Sequence, residues 1–477
     1  MGATAKVTRR RFINATATGA AAMPAVIRGR IPDDVVNLGI IGVGIRGKQL
    51  LAALGYVHPV TPTYLRSPNS RVNTKPGTPD GKPDPNVRFV GVCDVFDGNT
   101  EFGRAAADQG PSKGGIKTYR DYRDMLTDPS VDGVIIATPD HWHATITMDA
   151  VKAGKDVYCE KCWTHTADEA VAAYDLIKQQ GTVFQLGHQT RQDANHIRAK
   201  ELIAEGMLGD IHLVETYTNR NDGNGAWQYV IPEGAEDTKN LDWDMWLGKA
   251  PKIAYEPKRC WQWRRFWDYG TGMSGDLLSH SLDAVNMVMG MGIPHSAVAS
   301  GGVYVWRDGR EVPDVFQAAY DYPDLHMTVM YNGNLGSAFD RGKKFFGRDA
   351  ALDLTDGVSV VADKRSTRYA EKVKEAEELQ RQQAKATQAQ AELKAVTSAT
   401  EQWTINKGML YSFTPEGKQV NTVWAHLRDW VDCMKTRKQP RCNVDQAFEE
   451  AMIAHMATTA YKTGRRVFWD PKQRKII

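Results

Sequence analysis

The stretch NLGIIGVGIRGKQLL, residues 37–51, decides the fold. A run of aliphatic residues breaks into Gly42, Gly44 and Gly47 and then resumes at helical spacing. VVNLGIIGVG (35–44) reads as a short buried strand, and KQLLAALG (48–55) as the helix that follows it. The glycines spell GxGxxG between a strand and a helix, the setting that gives the pattern its physical meaning. The first permits a tight turn, the second lets backbone approach a pyrophosphate, and the third lets the helix pack on the strand. Ile45 and Arg46 lie at the helix N-terminus, where free N–H groups and the positive end of the dipole suit that pyrophosphate.

The alternation continues downstream. VRFVGVCDVF (87–96), VDGVIIATP (131–139), DVYCEK (156–161) and VFQLGH (183–188) read as strands, with helices after residue 139 and over 167–180. This is the pattern of a parallel sheet wrapped by helices. Residues 57–86 hold seven prolines among polar residues and read as an irregular insertion inside that unit. The acidic residue expected on the adenosine ribose is then Asp94, at the end of the second strand. It lies 47 residues past Gly47 because of the insertion. A carboxylate there accepts from both ribose hydroxyls and repels a 2′-phosphate, so NAD is favoured over NADP. Arg46 could suit NADP, but contact with phosphate or solvent is the preferred reading.

After about residue 190 strand-like runs follow one another, among them IHLVETYTN, SAVASGGVYVW, VFQAAYDY and LHMTVMYNG. They predict a second, α+β domain on a large open, mostly antiparallel sheet. The expected organisation is a leader over 1–30, a Rossmann domain over 35–190, and a substrate and oligomerisation domain over 191–477. A charged, Ala-rich stretch at about 366–400 reads as an exposed helical insertion in the latter. FEEAMIAHMATTAYKTGRRVFWDP closes the chain as a helix ending at Gly464 and then a strand.

Composition excludes several classes. Of 477 residues 42% are hydrophobic and 25% charged, and the formal charge is +3, which gives no reason to expect nucleic acid or an anionic membrane as partner. No apolar run of 18 or more residues exists to span a bilayer. The six cysteines are too scattered for a disulfide scaffold. Cys159 and Cys162 have CxxC spacing, without the second pair that would suggest zinc. His141-Trp142-His143 lacks a third ligand, so no metal is expected. Thr8-Arg9-Arg10-Arg11-Phe12-Ile13, a mild apolar stretch and Ala20-Ala21-Ala22 have the order of a twin-arginine signal, predicting export to the periplasm by a route that carries folded proteins.

Three further stretches carry a resemblance. ATPDHWHATITMDAVKAGKDVYCEKCWTHT (137–166), FQLGHQTR (184–191) and WRRFWDYGTGMSGDLLSHSLDAVNMVMG (263–290) closely resemble the Gfo/Idh/MocA oxidoreductases, as does the C-terminal segment. The resemblance implies that Thr138, Pro139 and His143 lie on the nicotinamide side, and that Glu160, Lys161 and Gln189 contribute to the cofactor site. Cys162 replaces the proline of the family's Glu-Lys-Pro turn, which bears on the pose of Lys161. Asp276 and His280 match the family's Asp-x-x-x-His pair, and four-residue spacing puts both on one helical face.

The residue types fit oxidation of a secondary alcohol. His280 can take the hydroxyl proton at neutral pH, Lys161 can polarise or deprotonate the oxygen if its pKa is depressed, and Asp276 can orient substrate and balance the lysine. Asp283 reads as a helix-packing or capping residue. WQWRRFWDYG (261–270) offers Arg264 and Trp267 to a sugar, arginine for its polar groups and indole for its apolar face. The expected function is an exported, NAD-dependent oxidoreductase acting on a sugar or glycoside, assembled as a dimer or tetramer. A redox-neutral NAD-dependent glycosidase or lyase is one alternative, and a non-catalytic NAD-bound sugar sensor another.

Overall fold

The computed structural model describes residues 35–60, 75–339, 341–378, 381–382, 409–415 and 420–477. The twin-arginine stretch, the centre of the proline-rich insertion and most of the Ala-rich insertion lie outside them. Of the last, 370–378 is helical.

Aliphatic runs bounded by glycine and proline become the parallel strands β1 (Val36–Ile41), β2 (Val87–Cys93), β3 (Lys117–Tyr119), β4 (Gly133–Ile136), β5 (Asp156–Cys159) and β6 (Phe184–Leu186). Their order is β3-β2-β1-β4-β5-β6, the doubly wound arrangement with its switch point between β1 and β4. The helices α1 (Ile45–Ala53), α2 (Asp97–Ala107), α3 (Tyr122–Thr127), α4 (Asp140–Lys152) and α5 (Ala167–Gln180) form the crossovers. Local chemistry sets their ends: α5 opens on a capping box between Thr166 and Glu169 and closes on left-handed Gly181.

The second sheet has ten strands: β7 (Ile211–Asn219), β8 (Ser296–Gly302), β9 (Val315–Tyr322), β10 (Met327–Asn334), β11 (Lys343–Gly347), β12 (Ala350–Asp353), β13 (Val358–Ala362), β14 (Met409–Phe413), β15 (Val467–Asp470) and β16 (Lys475–Ile476). They run β14-β13-β12-β11-β7-β10-β9-β8-β15-β16, antiparallel except where β7 meets β10. Four helices stand between β6 and β8, more than the periodicity suggested: α6 (Ala194–Ala204), α7 (Trp243–Leu247), α8 (Pro257–Trp261) and α9 (Ser279–Met289). Two of them have five residues, too short to leave a periodic trace.

A split at residue 190 does not partition the packing. The Thr422–Thr436 helix covers one face of the parallel sheet, where Leu427, Trp430, Val431 and Met434 join the core of Leu38, Ile40, Phe89 and Val92. The first half of the Val444–Thr463 helix covers the other face, adding Phe448 and Met452 to the core of Ile136, Val157 and Phe184. Its second half, with Ile453, Met456 and Ala460, belongs to the core under the large sheet. One helix therefore serves both units.

Candidate active site

The glycine loop behaves as its sequence requires. Gly42 has φ +88°, and a Cβ there would stand 2.8 Å from the Ala137 carbonyl and the Thr138 amide. A Cβ on Gly47 would stand 2.2 Å from the Gly42 carbonyl oxygen, so this glycine serves the packing of α1 on β1 and does not line the cavity. Beside Gly44 there is open space. The first turn of α1 holds no acidic residue, and no side chain caps it. Unfilled space in front of uncapped amides fits a bound pyrophosphate.

That space is one end of a cleft of about 380 Å³ that continues to Lys161, Asp276 and His280. Asp94 lines the cleft near the glycine loop, immediately after β2. Its carboxylate accepts from the Val43 amide at 2.6 Å, the Phe96 amide at 2.9 Å and Asn99 Nδ2 at 3.2 Å. Burial lifts its pKa above the usual carboxylate value against the pull of those donors. Thr138 and Pro139 line the cleft after β4. Thr138 Oγ1 is buried and has no hydrogen-bond partner among the described residues.

Arg46 lines the cleft and pairs with Glu160, Nε to Oε1 at 2.8 Å. Burial would lower its pKa, and Glu160 outweighs burial and raises it. Gln189 donates to the Gly187 carbonyl at 2.7 Å, the Tyr158 hydroxyl at 3.0 Å and Glu160 Oε1 at 3.3 Å. Glu160 and Gln189 thus form a hydrogen-bonded lattice that lines the cleft, Glu160 buried and Gln189 half-buried. His143 does not face the cleft. It sits inside α4, 1% exposed, with Nε2 2.8 Å from the Thr138 carbonyl and Nδ1 2.5 Å from the Cys162 carbonyl. It fixes the two loops that present Thr138 and Lys161.

The end of the cleft that holds Lys161, Asp276 and His280 is built by β5 and by a π turn, Ser274–Leu278, that opens into α9. Lys161 follows β5, and its Nζ donates to Asp276 Oδ1 at 2.5 Å and to the Asp276 carbonyl at 2.7 Å. Cys162 does not keep the ammonium from this position; the Lys161–Cys162 peptide bond is cis. Arg264 Nε reaches Asp276 Oδ1 at 3.0 Å, and the Trp227 indole donates to Oδ2 at 2.8 Å. Burial alone would neutralise this carboxylate, but Lys161 and Arg264 hold it well below the usual range. Burial also pulls on Lys161, and Asp276 outweighs it, so the lysine pKa is raised. The depressed value that would make it a base is absent, and Lys161 is an ammonium donor.

His280 differs in kind. Burial, then the charges of Lys161 and His188, drive its pKa well below 6.5. Neither ring nitrogen hydrogen-bonds within the described residues, and the ring packs edge-on against His188 with centroids 5.2 Å apart. A neutral imidazole with free nitrogens thus faces the cleft beside an ammonium. Behind it, Asp283 is neither a cap nor simple packing. It receives Arg191 Nη2 at 2.6 Å and Nε at 2.9 Å, a buried bidentate pair.

Trp267 also lies elsewhere than expected. Its indole donates to the Glu311 carbonyl at 3.1 Å, Lys462 covers its ring at 4.0 Å, and it does not line the cleft. The aromatic wall comes instead from Trp261, the last residue of α8, and from Trp263, Tyr229 and Trp246. Arg220 and Trp227 are marked by nothing in the sequence. Both follow β7, in a stretch with neither periodicity nor a motif. Among the described residues no helix is long and apolar enough to cross a membrane, and no group of three or more His, Cys, Asp or Glu is placed to hold a metal ion. The imidazole of His141 bonds the Trp246 carbonyl at 3.0 Å, and burial takes its pKa to about 3. All six cysteines are buried free thiols.

Profiles of one protein family match two consecutive segments. The first, described as an oxidoreductase family with an NAD-binding Rossmann fold, covers residues 36–188. The second, its C-terminal α/β domain, covers 193–295. A scyllo-inositol 2-dehydrogenase (NADP(+)) of Bacillus subtilis is 26% identical over 236 residues, half of this chain and 55% of that one. A levoglucosan dehydrogenase of Pseudarthrobacter phenanthrenivorans is 29% identical over 231 residues, covering 46% and 51% of the two chains. This chain thus spans about half the length of the curated relatives it matches. The crystal structure of the WlbA dehydrogenase from Bordetella pertussis, in complex with NADH and UDP-GlcNAcA, superposes over 92% of this chain and 99% of that one. The TM-score is 0.58 at 14% identity, a likeness of fold.

Proposed function

The chain belongs to the Gfo/Idh/MocA oxidoreductases, and from that premise we propose that it oxidises a secondary hydroxyl of a sugar or cyclic polyol with NAD. The observation that carries the reading is His280. It is a neutral imidazole with unbonded nitrogens, set in the same cleft as the glycine loop and beside the Lys161–Asp276 pair. NAD, when bound, supplies the hydride acceptor. Gly42, Gly44 and the first amides of α1 would hold its pyrophosphate, Asp94 its ribose, and Thr138 and Pro139 the nicotinamide end.

The protein's own contribution is proton chemistry and charge. His280 accepts the hydroxyl proton as the carbon–hydrogen bond breaks. The Lys161 ammonium donates to the same oxygen and stabilises the charge that develops on it. Asp276 keeps Lys161 charged and aimed. Names of the relatives, an inositol dehydrogenase and a levoglucosan dehydrogenase, favour a ring-bearing polyhydroxy substrate. An aromatic wall suits the apolar face of such a ring.

Export belongs to the same proposal and rests on the sequence of residues 8–22. A protein folded before export can carry its dinucleotide with it into a compartment without a free pool. The cofactor is then retained, and hydride taken from one substrate returns to a second one, or to the same sugar after an intervening step. The test is protein purified without added cofactor and assayed with candidate sugars. Dinucleotide that survives gel filtration, with turnover that consumes no free NAD, supports the reading. Empty protein that reduces added NAD stoichiometrically leaves a plain dehydrogenase, and protein that oxidises no sugar overturns the oxidoreductase reading.

A further inference from the structure

We infer that Arg220 and Arg264 form a subsite for an oxyanion, carboxylate or phosphate, carried by the sugar substrate. This deepens the proposed function and rests on it. Arg264 sits in the short turn Trp263–Arg265, and Arg220 follows the end of β7, where its amide is tied to the Asn334 carbonyl at 2.9 Å. Both line the cleft with His280 and Asp276. Arg264 uses Nε on Asp276 and lies 4.1 Å over the Trp263 ring; among the described residues its Nη1 and Nη2 make no hydrogen bond. Among the described residues the Arg220 guanidinium has neither a hydrogen bond nor an ion pair.

The charge count points the same way. Lys161, Arg220 and Arg264 crowd one wall. Two carboxylates act on them: Asp276, and Asp140, whose oxygen is already occupied by the Thr271 amide and hydroxyl. His280 is neutral, and Glu160 is matched by Arg46. A cation in excess inside a partly buried cleft is unfavourable until a ligand brings the opposite charge. A guanidinium is donor-only, and stacking on an indole fixes its plane. It therefore presents paired N–H groups in the geometry that an oxyanion accepts, whereas a hydroxyl uses them one at a time. The cofactor's phosphates have their own seat, at the glycine loop on the opposite unit.

The test uses NAD-loaded protein and three probes: methyl glucopyranoside, its uronate, and glucose 6-phosphate. Calorimetry gives binding and stopped-time assays give kcat/KM. Wild-type protein should favour at least one anionic probe over the neutral one by about tenfold to hundredfold, the range of a charge-assisted hydrogen bond. Arg220→Met should bring that ratio towards one with melting temperature and NAD retention unchanged, since the Arg220 side chain makes no hydrogen bond among the described residues. The uronate and phosphate arms decide which oxyanion is meant. Preference for the neutral sugar, or a ratio that survives Arg220→Met, overturns the inference. So does a loss of NAD retention with the ratio intact, which would assign the arginine to the cofactor. If none of these probes or any other sugar is oxidised, it is the oxidoreductase reading that falls.

Discussion

Replacing Asp276 by asparagine keeps the shape of the side chain and removes the charge on which two cations depend. The carboxylate receives Lys161 at 2.5 Å, Arg264 at 3.0 Å and the Trp227 indole at 2.8 Å, and it is 7% exposed. Breaking a buried ion pair by removing one partner costs about 3–5 kcal/mol. Because two cations are stranded here, Asp276→Asn should fall in the upper part of that range. The pKa directions set the window. Asp276 is held low, so its contribution is present above the ordinary carboxylate value of 3.8 and is lost as pH falls through its own depressed value. Lys161 is held high, so its contribution is complete below 10.5 and is lost only as pH rises through its raised value. The full difference should therefore appear at pH 7. Without Asp276, burial prevails on Lys161 and its pKa falls, so an alkaline loss of kcat/KM should move below 10.5. Denaturant titration followed by tryptophan fluorescence, with a pH–rate profile, measures both. A midpoint shift worth less than about 1 kcal/mol together with an unmoved alkaline limb would refute this account of the triad.

Other outcomes follow from neighbouring residues. His280→Ala should lower kcat/KM by about 10²–10⁴ while dinucleotide stays bound; near-wild-type turnover would remove the imidazole from the mechanism. In wild-type protein His280 stays neutral as pH drops through 6.5, so the acid limb should lie well below that value; a midpoint at or above 6.5 contradicts the burial argument. Asp94→Ala should reduce the preference for NAD over NADP, read as the ratio of dissociation constants, and an unchanged ratio would show that the carboxylate does not serve the ribose. Arg191→Met leaves the 1%-exposed Asp283 carboxylate without its partner and should destabilise by about 3–5 kcal/mol, whereas Arg191→Met with Asp283→Leu should recover much of the loss in thermal melts.

What could be read from sequence was what local spacing determines. The glycine motif is spelled by neighbours within ten residues, although its first glycine is also required by Ala137 and Thr138, and a strand end marks Asp94 as the ribose candidate across the insertion. Lys161, Asp276 and His280 were placed by motif, and all three line one cleft. Spacing could not tell which way a side chain points in an aperiodic loop. Trp267 and Trp263 are four residues apart, yet one packs on Lys462 and the other lines the cleft. His143 was misdirected by its nearness to Pro139, because the helix that begins between them turns its ring inward. Protonation of Lys161 was equally out of reach, since it depends on Asp276, 115 residues away. Arg220 and Trp227 carry no spacing signal, and long-range packing alone brings them to Asp276.

The two helices that close the parallel sheet come from the far end of the chain, and this bears on the order in which the protein can be made. When a ribosome has completed β6 at residue 186, the sheet has all its strands but lacks Trp430 on one face and Phe448 and Met452 on the other. Both hydrophobic faces stay partly uncovered until more than two hundred further residues have been synthesised. A nascent chain is therefore open to chaperones through most of its translation, and the dinucleotide seat gains its finished support last. Truncation beyond residue 421 would damage the first-made unit most, however remote the cut looks along the chain.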